Sequence, residues 1–217
     1  MSHTPLHHAS PPLRSTSPLH LLSSRLHLLS TSSRLVSASP LLHHSFFPSH
    51  PPRRIVHRGA QGANLILSEK DKKFKFIDFG VACDLVTGRN YNKDLQPFDP
   101  SYCPPEAPPI DKQGDGGLQL SAGGAFDVFS AGLLVVQMCF PNTRSDQGIK
   151  RFKMALDGCG YDLKEWRESL EGVRGYEEGF ELLDAHGGWS LLQGCLKRQP
   201  SQRISAAAAA SSGFCRV

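Results

Sequence analysis

A chain of 217 residues, 39% of them hydrophobic, is long enough to bury a core of its own, and a net charge of +4 is too mild to mark a nucleic-acid-binding surface. No run of 18 or more apolar residues occurs, so no transmembrane helix is expected. The six cysteines (Cys83, Cys103, Cys139, Cys159, Cys195 and Cys215) form no CxxC pair, which argues against a zinc site or a disulfide framework and for isolated thiols in a reducing compartment.

The charge is unevenly spread. No acidic residue precedes Glu69, no lysine precedes Lys70, and eight of the ten histidines lie in the first 50 residues. Residues 1–54 are Ser, Pro, His and Leu with scattered Arg, a composition that buries too little apolar surface to offset the entropy of ordering. They are expected to form a disordered, low-complexity tail. An acid-free, Ser-rich, Arg-bearing segment also suits an organelle transit peptide, and a spurious start of the reading frame stands beside it as the alternative.

From Ile55 to Gly80 the pattern changes. Two alternating apolar runs, Asn64–Leu67 and Phe74–Ile77, flank a charged reversal at residues 69–73 and predict a short β-hairpin. Its ends carry His57, Arg58 and Asn64 on one strand and Asp78-Phe79-Gly80 on the other. An amide oxygen and a carboxylate brought together there can share a hard cation such as Mg²⁺.

Residues 81–110 read as loop, and the Gly-rich residues 111–124 as an exposed insertion. Residues 125–140 are apolar nearly all round from Phe126 on, the mark of a helix buried on every side, with Ser130 and Gly132 small enough for close approach. Two helical patterns fall within residues 146–185: Tyr161–Arg167, with Asp162 as cap, and Tyr176–Leu183. A short amphipathic helix over 187–198 and an Ala-rich one over 204–210 close the chain.

The order His57-Arg58-Gly59-Ala60-Gln61-Gly62-Ala63-Asn64, then Asp78-Phe79-Gly80, resembles the catalytic and metal loops of eukaryotic-type protein kinases, H-R-D-x-K-x-x-N followed by D-F-G. Pro104-Pro105-Glu106 is similar to the family's A-P-E triplet. The stretches 89–91, 99–106, 126–133, 161–167 and 179–184 resemble the chloroplast thylakoid kinases that control state transitions. The resemblance covers about residues 55–210.

It implies a mainly α fold with a small β-hairpin: a protein kinase-like C-terminal lobe over residues 55–212, a tail over 213–217, and the N-lobe absent, since neither a G-x-G-x-x-G loop nor a V-A-I-K strand precedes Ile55. Asn64 and Asp78 would be the metal pair, His57 would pack within its loop, and Phe79 and Gly80 would complete the metal loop. Arg58 would either meet a phosphate on the following segment, with Thr87, Tyr91 and Ser101 as acceptors, or stand solvated. Glu106 would pair with Arg203, and Asp127 would cap the long helix and hold the backbone of the His57–Arg58 loop.

The chain departs from the pattern where the chemistry lies. Gly59 occupies the position of the family's catalytic Asp and Gln61 that of its Lys. The implied function is ATP-dependent phosphorylation of protein Ser or Thr, with Mg²⁺ and ATP as cofactors, truncated and impaired in this chain, and with no catalytic residue intact. The alternatives are a pseudokinase-like protein-binding module and a non-functional gene fragment. The implied partners are a protein substrate or docking partner, thylakoid proteins among them. The implied location is the chloroplast, with the cytoplasm as alternative. Pro51-Pro52 forbids a helix just before the loop, so the 126–140 helix is expected to expose apolar surface on one side.

Overall fold

The computed structural model describes residues 55–71, 73–90, 98–107 and 124–215. The expectations for residues 1–54, for most of the 111–124 insertion and for Tyr91 lie outside these.

Two small antiparallel pairs of strands come first among the described residues. Strand β2 (Leu65–Leu67) pairs with β3 (Phe74–Phe76), with Leu65 opposite Phe76 and Leu67 opposite Phe74. The hairpin closes at one end where the Ser68 amide donates to Lys73 O at 2.8 Å, and at the other where the Ile77 amide donates to Asn64 O at 2.9 Å. A second pair joins β1 (Ile55–Val56) to β4 (Cys83–Asp84), within a stretch the sequence presents as loop. Each strand is two residues long, too short for any alternation to show, and the pair is fixed instead by burying Val56 and Cys83 against Phe126.

Helix α1 (Ala125–Cys139) runs through the middle of the fold. Eleven of its fifteen residues are buried, and it stops at Phe140, whose extended backbone leads into Pro141. None of the large exposed apolar side chains among the described residues lies on α1. The expected bare face is therefore corrected: helices from later in the chain, the 57–62 loop and Tyr102 cover it. Close approach is visible at Gly132, where a Cβ would come within 2.8 Å of Leu196 Cδ2 and 2.9 Å of Cys195 Cβ. Ser130 also fits as a small residue and donates its hydroxyl to Tyr102 O at 2.8 Å.

Helix α2 (Asp146–Gly158) is a full element beyond the two helical patterns read from 146–185. It starts at Ser145, whose side chain accepts from the Gly148 amide, and buries Ile149, Phe152 and Leu156 on one face. Three apolar residues among Lys150, Arg151 and Lys153 give a weak signal in sequence, yet that stripe is enough once α1 offers a surface. Gly148 leaves no space for a side chain: a Cβ there would fall 2.2 Å from Asn142 O.

Helix α3 (Leu163–Glu168) is capped by Asp162, which accepts from the Lys164 amide, and buries Leu163 and Trp166. Helices α4 (Glu177–Ala185) and α5 (Gly188–Cys195) follow, then the short α6 (Ala206–Ala210) with Ser205 as its cap. Trp166, 3% exposed, centres an aromatic cluster, with ring centroids 4.9 Å from Phe152 and 5.4 Å from Phe140. Such edge-to-face pairs add about 0.5–1.5 kcal/mol each beyond the area they bury. Among the described residues the fold is thus mainly helical with two small antiparallel sheets, the kinase-like class expected.

All six cysteines are free. Burial pushes the Cys139 and Cys195 thiols up to about 12. Both should resist a thiol-specific reagent at pH 8 in the native protein and react once it is unfolded, a difference that counting modified cysteines by mass measures. The sign for stability follows. The unfolded thiols ionise near 9.0 and the folded ones near 12, so their contribution is fully present below pH 9 and is lost as pH rises through that window.

Candidate functional site

The site is a loop held from below by α1 and from the side by the segment after β3. Asp127, in the first turn of α1, accepts from the His57 amide at 2.7 Å and from the Arg58 amide at 3.0 Å. Burial pushes its carboxyl above the usual range, opposed by those two N–H donors and by the neighbouring Arg58 cation. The helix start itself is not capped by Asp127. Its N-cap position is Gly124, with no side-chain hydrogen bond, because the carboxylate is turned outward to the loop.

Arg58 is corrected too. It is 2% exposed rather than solvated, on a left-handed backbone with φ of 61°. Its Nε donates to Val81 O at 2.6 Å and its Nη2 to Asn90 O at 3.1 Å, so the guanidinium ties down the segment after Gly80 through carbonyl oxygens. Of the named phosphate acceptors, Thr87 is exposed, whereas Ser101 is buried at 6%.

The His57 ring packs 5.3 Å from that of Phe76 and 4.8 Å from that of Phe79. Its Nδ1 accepts from the Gly59 amide at 3.2 Å, while its buried Nε2 meets no hydrogen-bond partner among the described residues. The Gly59 carbonyl in turn accepts from Asn64 Nδ2 at 2.9 Å. With its nitrogen committed inward, the Asn64 amide leaves its oxygen as the atom able to meet a cation. Gln61 is only half-buried, and its carbonyl accepts from the Asn64 amide at 3.0 Å.

Asp78 is exposed at the end of β3 and holds a left-handed backbone, φ 62°, which is costly for a residue with a Cβ. Its Oδ1 accepts from the Gly80 amide at 3.2 Å, and a Cβ at Gly80 would lie 3.1 Å from that oxygen. The hairpin register places Asn64 opposite Ile77, so the amide and the carboxylate sit at one end of it. Two hard oxygen donors at an exposed edge fit a Mg²⁺ ion that takes its remaining ligands from water and phosphate. Among the described residues no group of three or more His, Cys, Asp or Glu could hold a metal alone.

Two neighbours escaped the sequence reading. Pleating puts Ile66 on the face of Asn64 and Ile77, and both isoleucines are exposed, at 45% and 39%. An apolar shelf beside two oxygen donors suits a flat ligand carrying phosphates. The signal in sequence was the pair of apolar residues at outward-facing positions of the hairpin.

Glu106 and Arg203 meet across 97 residues of chain. The Glu106 oxygens accept from Nη1 at 2.7 Å and from Nη2 at 2.6 Å. The remaining donors go to carbonyls: Nε to Lys197 at 2.8 Å, Nη1 to Ala125 at 3.0 Å and Nη2 to Arg198 at 3.0 Å. All five guanidinium N–H groups are thereby used, above a Phe129 ring 4.9 Å away.

Comparison with known proteins places the chain among its relatives. The protein kinase domain family matches residues 25–215. The chain is 37% identical over 172 residues to the chloroplastic serine/threonine-protein kinase STN7 of Arabidopsis thaliana, covering 71% of this chain and 31% of that protein. It is 36% identical over 171 residues to the chloroplastic STN8 of the same plant, covering 71% and 34%. The chain thus spans about a third of the length of these relatives. A crystal structure of a Stt7 homolog from Micromonas algae, soaked with ATP, superposes with a TM-score of 0.56 at 32% identity, covering 75% of this chain and 51% of that one. Since the family model spans residues 25–215, most of the chain, the chain belongs to the protein kinase domain family.

Proposed function

We propose that residues 55–212 are a C-terminal lobe of the Ser/Thr protein kinase lineage. It keeps the metal end of the reaction and has lost the proton-handling end, so that transfer from ATP to a protein Ser or Thr is severely impaired. Gly59 is the observation that carries this. A Cβ built there would lie 3.2 Å from Asn64 Nδ2, so a side chain at this position would stand beside Asn64, and glycine offers no oxygen to take or orient the hydroxyl proton. A general base is worth roughly 10²–10⁴-fold in rate. Gln61 also lacks the charge of the Lys it replaces. Asn64 and Asp78 would hold Mg²⁺ together with the nucleotide's phosphates, and the Ile66–Ile77 shelf would take the base; the ion would neutralise charge on the transferring group.

The STN7 and STN8 relatives support placement in the chloroplast, with thylakoid proteins as substrates or docking partners. A protein-binding role is the second reading. It is favoured by a core kept tightly packed, with Phe129, Leu133, Leu183 and Leu192 all under 2% exposed, around a loop that has lost its base.

The test compares wild type with Gly59→Asp for Mg²⁺-dependent transfer of labelled phosphate to a threonine-containing protein, beside thermal shifts with Mg²⁺–ATP. Wild type should transfer at background, and the substitution should raise the rate by about 10²-fold or more. Wild-type turnover in the ordinary kinase range of about 1–100 per second would sink the proposal.

A further inference from the structure

The turn between Phe98 and Glu106 is pinned to α2 by one side chain. Lys153, half-buried on α2, donates from Nζ to Pro100 O at 3.0 Å and to Cys103 O at 2.8 Å. Beside these carbonyls it meets sulfur: Cys103 Sγ lies 3.7 Å from Nζ. The two residues are 50 positions apart in sequence, so only the fold brings them together.

Both members are held in place. The Cys103 amide donates to Asp99 O at 3.0 Å and the Ser101 amide to Asp99 Oδ1 at 2.7 Å, which fixes the turn. The Cys103 thiol donates to Pro100 O at 3.2 Å, the same carbonyl that Lys153 meets. Lys153 follows Phe152, which is buried edge-on against Trp166, so the root of the lysine stem is anchored. The flexible four-carbon stem lets Nζ close the remaining gap to sulfur.

Cys103 differs from the other thiols. Cys83, Cys139 and Cys195 are buried, and among the described residues no other cysteine has a lysine within hydrogen-bonding reach. Cys103 is partly exposed and stands beside a cation, the surroundings in which cysteines react. Burial pushes its thiol up, and the Lys153 charge opposes that shift. A small oxidant that reaches the sulfur leaves a sulfenic acid facing an amine.

We propose that Cys103 and Lys153 are joined through one oxygen atom, Sγ–O–Nζ, when the protein meets hydrogen peroxide. In the first step a peroxide oxygen passes to Sγ: the O–O bond breaks, the thiol becomes a sulfenic acid and one water leaves. In the second, the ammonium releases its extra proton to solvent and a second peroxide takes two electrons from the nitrogen. The sulfenic oxygen bonds to Nζ as two waters leave. Sulfur and nitrogen each lose two electrons, and an excess of a dithiol returns them. The bridge staples the turn before Glu106 to α2 and takes no part in phosphate transfer.

The full chain is treated with hydrogen peroxide, digested with trypsin and mapped by mass spectrometry. A peptide joining Cys103 to Lys153 is expected, heavier than its two parts by one oxygen less two hydrogens and uncut at Lys153. Dithiothreitol should split it. Lys153→Arg keeps a cation that can meet the carbonyls but has no amine, so the joined peptide should vanish while Cys103 goes on to the sulfinic acid. Unfolding the wild-type chain in urea before the peroxide is added should cut the yield by about tenfold or more, because the pairing depends on the fold. The exposed Met154 reports that the oxidant has acted. Oxidised Met154 with no joined peptide, a joined peptide without the added oxygen, or an equal yield from the unfolded chain would each overturn the proposal.

Discussion

Replacing Arg203 by alanine should destabilise the fold by about 3–5 kcal/mol, the range for breaking a buried ion pair by removing one partner. Its side chain is wholly buried, that of Glu106 is 24% exposed, and three carbonyls lose their donor along with the carboxylate. Glu106→Ala should cost a comparable amount for a different reason, since it strands a buried guanidinium. Arg203→Lys should recover little, because three ammonium donors cannot follow a five-donor planar fork. Urea unfolding measures all three, and a loss below about 1 kcal/mol for Arg203→Ala would show that the network is not holding the segment.

Asp127→Ala should be the next most damaging change. It leaves the His57 and Arg58 amides buried without an acceptor, at about 1–3 kcal/mol for each N–H. Asp127→Asn keeps one carbonyl oxygen and should lose roughly half as much. Because the loop also positions Asn64 through Gly59 O, the damage should be local before it is global. Amide exchange at His57 and Arg58 should accelerate in conditions where the α1 core is still protected. Unchanged exchange at those amides would mean that the loop is held by something other than this carboxylate.

The hairpin, the central helix and the long-range pairs were legible because each leaves a distinct trace. The hairpin alternates about a charged reversal, α1 is apolar all round, and Asn64, Asp78, Glu106, Asp127 and Arg203 stand at motif positions. What escaped the sequence is what tertiary contact decides. Strands of two residues carry no period. The three apolar side chains of α2 become a helix stripe only against α1. Arg58 looked like a solvated cation because nothing in the order of residues shows that the carbonyls of Val81 and Asn90 converge on it. Asp127 could be placed as the holder of the loop, yet its freedom from capping depended on the direction in which the carboxylate turns. Ile66 and Ile77 looked like ordinary strand residues, and only the pleat puts them on the open face.

The Glu106–Arg203 tie has a kinetic side. Its partners are 97 residues apart, and those of the Asp127 tie to His57 are 70 apart, whereas the packing of α2 to α5 joins neighbours in sequence. Closing long loops is entropically unfavourable until other contacts have shortened them, so the helical half has the advantage in the early steps and the two polar ties are late events. Interactions formed after the rate-limiting barrier govern how fast a chain comes apart far more than how fast it assembles. Glu106 and Asp127 therefore act as clasps on the lifetime of the folded state: they retard escape from a structure that the helices reach without them.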